Sequence, residues 1–146
     1  MKEPVYTWDG VVATCTITDE AGRTFTGSAY VHEQDMDFAS EKTGCTIATS
    51  RAAVAYLQSV KKNVLKPQLA ALKQLYYSMK HSSRFNPKSY ENIMLQRQIT
   101  IKEEDIKTVN LEIYKHKAFL KEFIDTKEIF YQNTRKARAK KQVENN

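Results

Sequence analysis

After Pro87 the chain runs 59 residues to its end without a glycine or another proline, and its apolar residues step by threes and fours: Leu95, Ile99, Ile106, Val109, Ile113, Leu120, Phe123, Phe130. That spacing is the period of an α-helix. With Asn92, Lys102, His116 and Lys127 filling the intervening positions, the seam is a heptad pattern with polar interruptions. A helix from residue 87 to about 135 is on the order of 70 Å long. It cannot bury its own stripe, so the rest of the fold is constrained to supply helical cover.

The same period governs residues 45–82, where Ile47, Val54, Leu57, Val60, Val64, Leu65, Leu69, Leu72, Leu75, Tyr76 and Met79 predict a first long helix. Pro67 removes an internal hydrogen bond and disfavours α geometry at Lys66, which predicts a kink or a one-turn break there. Residues 81–86 form the connection. Asn86 followed by Pro87 reads as an N-cap and a first helical residue, so the second helix is expected to begin at 87. The two helices make an antiparallel hairpin of unequal arms. One apolar stripe is then only partly covered, and covering it is worth about 25 cal/mol per Å². A helix from another copy is the simplest cover, which predicts a homo-oligomer.

The N-terminal third is built differently. Val11 to Thr18 alternates, with Val11, Ala13, Cys15 and Ile17 on one side and Val12 with three threonines on the other, the pattern of a half-buried strand. Asp19 to Gly22 is a turn and Arg23 to Val31 the returning strand. The expected fold is therefore α+β: an N-terminal antiparallel β-hairpin or small sheet packed on a long antiparallel helical hairpin, oligomeric through the helices. A single domain of 146 residues would comprise the hairpin and an acidic loop (1–44), the first helix (45–82), the second (87–138) and a frayed basic tail (139–146).

Charge follows the same division. Residues 1–50 carry three basic and eight acidic side chains, a net of −5; residues 51–146 carry the other 20 basic and nine acidic ones, a net of +11. So uneven a distribution is a poor match to a uniform nucleic-acid surface. Arg135 to Lys141 holds five cations in seven residues, read first as a solvated helix end whose charges suit the negative end of the helix dipole. Nucleic acid is not the expected partner, although a nucleic-acid-binding protein or a coiled-coil adaptor using the basic helices stays open as the alternative. The apolar runs are too short for a membrane span, and no export signal opens the chain, so a cytoplasmic protein with reduced thiols is expected. Cys15 and Cys45 with three scattered histidines assemble no metal motif, and no hydrolase elbow, zinc-protease helix or phosphate-binding glycine loop occurs. No cofactor and no catalytic residue is expected, and the protein is read as a binder, not an enzyme.

Two segments are least explained by packing. In one, Asp37, Phe38 and Ser40 lie in a loop before Gly44, and Arg51 stands about two turns into the first helix; packing alone would make Phe38 a lid on the hairpin, Ser40 or Thr43 a cap, and Arg51 the partner of Asp35 or Asp37. In the other, Arg84, Phe85 and Asn86 precede Tyr90 and Asn92; packing alone would make Phe85 a staple and Asn92 a register-fixing polar residue. Together the two segments offer a ring for a base to stack on, amides for its edge, arginines for phosphate and a helix N-terminus near Asn86. Those are the needs of a nucleotide pocket without paired carboxylates or an activated nucleophile.

A short β-hairpin, then Asp35-x-Asp37-Phe38-x-Ser40, Gly44, Ile47-Ala48 and Arg51-Ala52 opening a helix, then a long helical hairpin with a Phe85-Asn86 turn, resembles the phage anti-defence proteins that counter the bacterial Thoeris system by sequestering its cyclic ADP-ribose-type signal. The resemblance implies a sponge in the infected bacterial cytoplasm that holds glyco-cyclic ADP-ribose without cleaving it. It implies a pocket between two subunits in which Phe85 and Asn92 serve, with Asn86 and Arg51 as further candidates; Arg84, Tyr90 and Asp37 are ligand-binding candidates from the two segments themselves. It also implies assembly as a dimer or something larger, such as a hexamer, and, in some members, separate basic sites for cyclic oligonucleotides.

Overall fold

A computed structural model describes residues 2–82 and 84–145. Ser83 of the connection and Asn146 of the tail, each part of a segment assigned above, lie outside the described residues. The protein is α+β: a three-stranded antiparallel sheet, β1 (Val5–Trp8), β2 (Val12–Thr18) and β3 (Thr24–Tyr30), precedes a 3-10 helix (Glu33–Phe38) and the long helices. These are α1 (Glu41–Val60), α2 (Lys66–Lys80), joined to α1 by a π-turn over Lys61–Leu65, and α3 (Tyr90–Asn145). The chain divides into two compact units, Met1–Ala55 with Lys115–Asn146, and Tyr56–Tyr114.

In the first unit the expected hairpin is present, paired from Val12 opposite Tyr30 to Thr18 opposite Thr24. The additional strand β1 pairs with β2 from Val5 opposite Thr16 to Trp8 opposite Ala13. The Asp9-Gly10 dipeptide turns β1 into β2: Gly10 takes φ +95°, and Asp9 Oδ1 accepts from the amides of Val11 at 2.9 Å and Val12 at 2.7 Å. That dipeptide is the strongest short-range hairpin signal a sequence carries. The second turn is built around Asp19, whose Oδ1 accepts from the Ala21 and Arg23 amides while Oδ2 accepts from Arg23 Nε at 2.8 Å, with Gly22 at φ +82°. Burial works against the Asp19 charge, but the Arg23 amide and guanidinium and the Ala21 amide outweigh it and hold the carboxyl below the ordinary carboxylate range. A depressed carboxyl contributes stability that is complete above its unfolded pKa of about 3.9 and is lost as pH falls through the lower folded value. Asp19→Asn is therefore expected to be less stable than the parent at neutral pH, and urea titrations should show the gap between them closing below about pH 4.

The alternation assigned to β2 places Ala13, Cys15 and Ile17 in the core, whereas Val11, before the strand, is 38% exposed. Those side chains meet Ala48 and Ala52 of α1, with Trp8 and Cys45 packed at the margin. The helix side of this contact is a stripe of small residues, Gly44, Ala48 and Ala52, one turn apart, so the helix backbone lies close on the sheet. A Cβ at Gly27 would stand 2.2 Å from the Ala48 carbonyl oxygen and 2.3 Å from the Ala52 nitrogen. Burial pushes the Cys45 thiol up, with Glu41 and Cys15 adding to the effect, so it is a packing residue and not an activated nucleophile.

α1 begins at Glu41, four residues earlier than the apolar period indicated, because Ser40 caps it: Thr43 N donates to Ser40 Oγ at 3.3 Å and Gly44 N to the Ser40 carbonyl at 3.0 Å. Asp37 and Phe38, expected in a loop, belong to the 3-10 helix.

In the second unit the break before Pro67 is present but differs in kind from the expectation. Lys66 keeps α geometry at φ −63°, ψ −44°, and its amide donates to Lys61 O, five residues back. A proline ring clashes with the carbonyl four residues before it, here that of Asn63, and the wider π-turn relieves the crowding without leaving the helix. α3 begins at Tyr90, not at residue 87. Asn86-Pro87-Lys88-Ser89 is a β-turn, closed by Ser89 N donating to the Asn86 carbonyl at 3.1 Å, and Ser89 is the cap, accepting from Asn92 N at 3.4 Å. Tyr76 and Gln96, on either side of the connection, hydrogen-bond at 3.2 Å.

Along α3 the seam residues from Asn92 to Lys127 are buried or half-buried; only Phe130, 58% exposed, departs from the pattern. The tail, expected to fray after 138, is helical through Asn145. No helix among the described residues is long and apolar enough to cross a membrane.

Candidate functional sites

Among the described residues, a concave site lies in each unit. In the second unit, a cleft of about 310 Å³ opens at the helical turn, lined by Arg84, Phe85, Asn86 and Asn92 together with Met79, Ser82, Ser89 and Glu91. Four of the candidates are thus brought together. Tyr90 is the first residue of α3, 74% exposed, and is not among the lining residues.

The geometry of the cleft follows from the turn. Asn86 Oδ1 accepts from Lys88 N at 3.0 Å, the Asx-turn that an asparagine before proline favours. Asn92, 4% exposed, reaches back from the first turn of α3, its Nδ2 donating to the Asn86 carbonyl at 2.6 Å and to Ser89 Oγ at 2.9 Å. Its Oδ1 is buried with no hydrogen-bond partner. Phe85 sits edge-on to Tyr76, ring centroids 6.0 Å apart, so the staple reading of Phe85 has a partner in α2. The lining therefore includes one aromatic ring, one guanidinium and the amide of Asn92, whose buried Oδ1 lacks a donor. A buried unsatisfied acceptor costs about 1–3 kcal/mol. The sequence missed Ser89, although its spacing to Asn92 is that of a capping box.

Arg51 and Asp37 belong to the first unit. Neither Asp35 nor Asp37 pairs with Arg51, which packing had suggested; Arg51 Nη1 donates to the Ser28 carbonyl at 2.8 Å. Asp37 Oδ2 accepts from Arg138 Nη1 at 2.8 Å, Asp35 pairs with Arg135, and Arg135 Nη2 also donates to the Gln34 carbonyl at 2.6 Å. Phe38 stacks on Tyr131 at 4.4 Å and 16°, beneath the guanidinia of Arg135 and Arg138 at 5.4 and 5.1 Å. Phe38 lids α3, then, and not the hairpin alone, and two of the five tail cations are committed to the acidic segment. The double variant Arg135→Ala/Arg138→Ala is expected to loosen this latch by about 1 kcal/mol, since the pairs are partly exposed. Hydrogen exchange should quicken at Glu33–Phe38, and 1 M salt, with a screening length of about 3 Å, should reproduce part of the effect in the parent.

Beneath the latch lies the second cavity, of about 230 Å³, walled by Trp8, Tyr30, His32, Arg51, Lys127 and Tyr131. Burial and the nearby Asp35 carboxylate push the Tyr131 phenol up, so it stays neutral at physiological pH. The segment singled out in the sequence supplies Asp35, Phe38, Ser40, Gly44 and Arg51 to this cavity; what no local pattern showed is the rest of its wall, from the strand ends at Trp8 and Tyr30 and from α3 residues more than 90 positions beyond them. Among the described residues, no group of three or more His, Cys, Asp or Glu side chains could hold a metal ion.

Comparison with protein families, curated proteins and solved structures finds no match.

Proposed function

We propose that the protein binds a cyclic ADP-ribose-type immune signal, glyco-cyclic ADP-ribose, and sequesters it without cleaving it, thereby blocking bacterial Thoeris anti-phage defence from within the host cytoplasm. The observation that carries this reading is the buried Asn92 side chain, its carbonyl oxygen lacking a donor, in a cleft shared with the Phe85 ring and Arg84. A base stacks on the ring, its amino group supplies the donor that Asn92 lacks, and Arg84 meets the pyrophosphate. The resemblance of sequence motifs points to the same ligand class. The lining residues offer hydrogen bonds and charge but no paired general acid and base, which favours retention over turnover.

A cleft of about 310 Å³ lies at the small end of the range for ligand sites, so a dinucleotide is completed by walls from a second copy. Homo-oligomerisation, as a dimer or a hexamer, belongs to the proposal for that reason. It is supported by α3, whose Ile101, Leu111 and Tyr114 are 52%, 51% and 69% exposed within the second unit. Leu111→Glu/Tyr114→Glu should preserve helicity yet sediment as a smaller species than the parent at micromolar concentration; a parent that is already monomeric contradicts the assembly. Separate basic sites for cyclic oligonucleotides remain part of the resemblance only, with no residues attached. The proposal is tested by purifying the protein from cells that make the Thoeris signal. Nucleotide should accompany the parent and be absent from Asn92→Ala.

A further inference from the structure

We propose that the cavity of the first unit is a second, independent small-molecule site, built for one flat heteroaromatic ring that carries a single anionic group and a ring N–H. At about 230 Å³ it is below the usual volume of sites for drug-sized ligands, which suits one ring system with one acidic substituent and excludes a dinucleotide. Trp8 and Tyr131 supply aromatic walls, and Tyr131 is fixed by its stack on Phe38, so a ring enters a preformed slot. Arg51 supplies the anion contact. Its bond to the Ser28 carbonyl anchors one nitrogen of a rigid fork, and among the described residues it makes no ion pair. Lys127 adds a second cation to the lining and Glu128 a carboxylate, neither of them in an ion pair among the described residues, and Glu128 accepts the ring N–H. Of the carboxylates in the lining, Asp35 is held by Arg135, and its neighbour Asp37 by Arg138, which leaves Arg51 and Lys127 to meet the anion.

Two sources share this chemistry, a purine nucleoside monophosphate and a heteroaromatic carboxylate, and 5′-GMP and indole-3-acetate serve as their probes. Trp8 is the only tryptophan of the chain, so quenching of its fluorescence reads occupancy at this cavity directly with GMP; calorimetry reads both probes. At least one probe should bind saturably to the full-length protein. Arg51→Ala and, as a milder exposed change, Glu128→Gln should each weaken it about tenfold or more, whereas Asn92→Ala in the other unit should leave it unchanged. A response to GMP alone assigns the phosphate source, and a response to indole-3-acetate alone the carboxylate source. Absence of saturable binding by either probe, or binding indifferent to both Arg51→Ala and Glu128→Gln, overturns the proposal.

Discussion

Gly27→Ala is expected to unfold the first unit at temperatures where the parent is fully folded. The added methyl would lie 2.2 Å from the Ala48 carbonyl oxygen, 2.3 Å from the Ala52 nitrogen and 2.8 Å from the Arg51 carbonyl carbon, all backbone atoms that no side-chain rotation can move aside. The helix must lift off the sheet, separating Ala48 and Ala52 from Ala13, Cys15 and Ile17, which form the core of the unit. Overpacking of this kind costs about 1–3 kcal/mol, and backbone collision places Gly27 at the upper end. In thermal unfolding that is a fall in Tm of about 10 °C or more for a unit of this size. Gly44→Ala is the informative companion. Its Cβ would meet the Ala13 methyl at 2.8 Å, a single short contact that needs a small backbone shift, and Trp8 ring carbons only from 3.4 Å, against backbone contacts down to 2.2 Å at Gly27, so its loss should be smaller. Equal losses at the two positions would contradict the account of how α1 rests on the sheet.

The second large effect is expected at Asn92. Asn92→Leu keeps the branching and heavy-atom count of the side chain, though its methyls are bulkier, and removes both donors that tie it to the Asn86 carbonyl and Ser89 Oγ, together with the unpartnered Oδ1. Binding of the cyclic nucleotide should fall by 100-fold or more, because the cleft loses a hydrogen bond to the ligand and the turn that shapes it loses its brace. Ser89→Ala separates these contributions. It removes the cap and one partner of Nδ2 but leaves Oδ1 in place, so binding should fall less than tenfold, while helix stability should drop by about 1 kcal/mol. Phe85→Ala should weaken binding by about 1–3 kcal/mol, the value of stacking one base, with helicity retained. If Phe85→Ala and Asn92→Leu change stability without changing affinity, both residues are structural and the cleft is not the site.

The helical architecture was legible in the sequence because its signal is redundant. Seam positions over 36 residues, from Asn92 to Lys127, agree with the burial of α3, and a single misread residue would not have altered the conclusion. Features set by few residues were not legible in the same way. The strand β1 spans only four residues, too few for a period to register, although Asp9-Gly10 announced its turn. In α1 the large apolar residues that carry the helical period, Ile47 and Val54 among them, are half-buried, whereas the close contact with the sheet falls to Gly44, Ala48 and Ala52, small residues that add nothing to an apolar period. Asn86-Pro87 carries the same residues whether it starts a helix or a turn; the hydroxyl of Ser89 and the amide of Asn92 settled it locally as a turn.

The candidate sites divide along the same line. Phe85, Asn86 and Asn92 are within eight residues of one another, so the chain itself brings them together, and Arg84 follows for the same reason. Asp37 and Arg51 join them only through chemical type and the motif resemblance, with no spacing that ties them to the turn. Their real partners, Arg138 and the Ser28 carbonyl, are 101 and 23 residues away in sequence, separations at which no local pattern carries information.

The most direct measurement is a calorimetric titration of the full-length protein with a cyclic ADP-ribose isomer, followed by heat denaturation of the complex and chromatography of what is released. The account predicts saturable binding in the parent, at least 100-fold weaker binding in Asn92→Leu, and recovery of the ligand intact. No heat of binding with any cyclic ADP-ribose isomer, or release of a linear product, would contradict it.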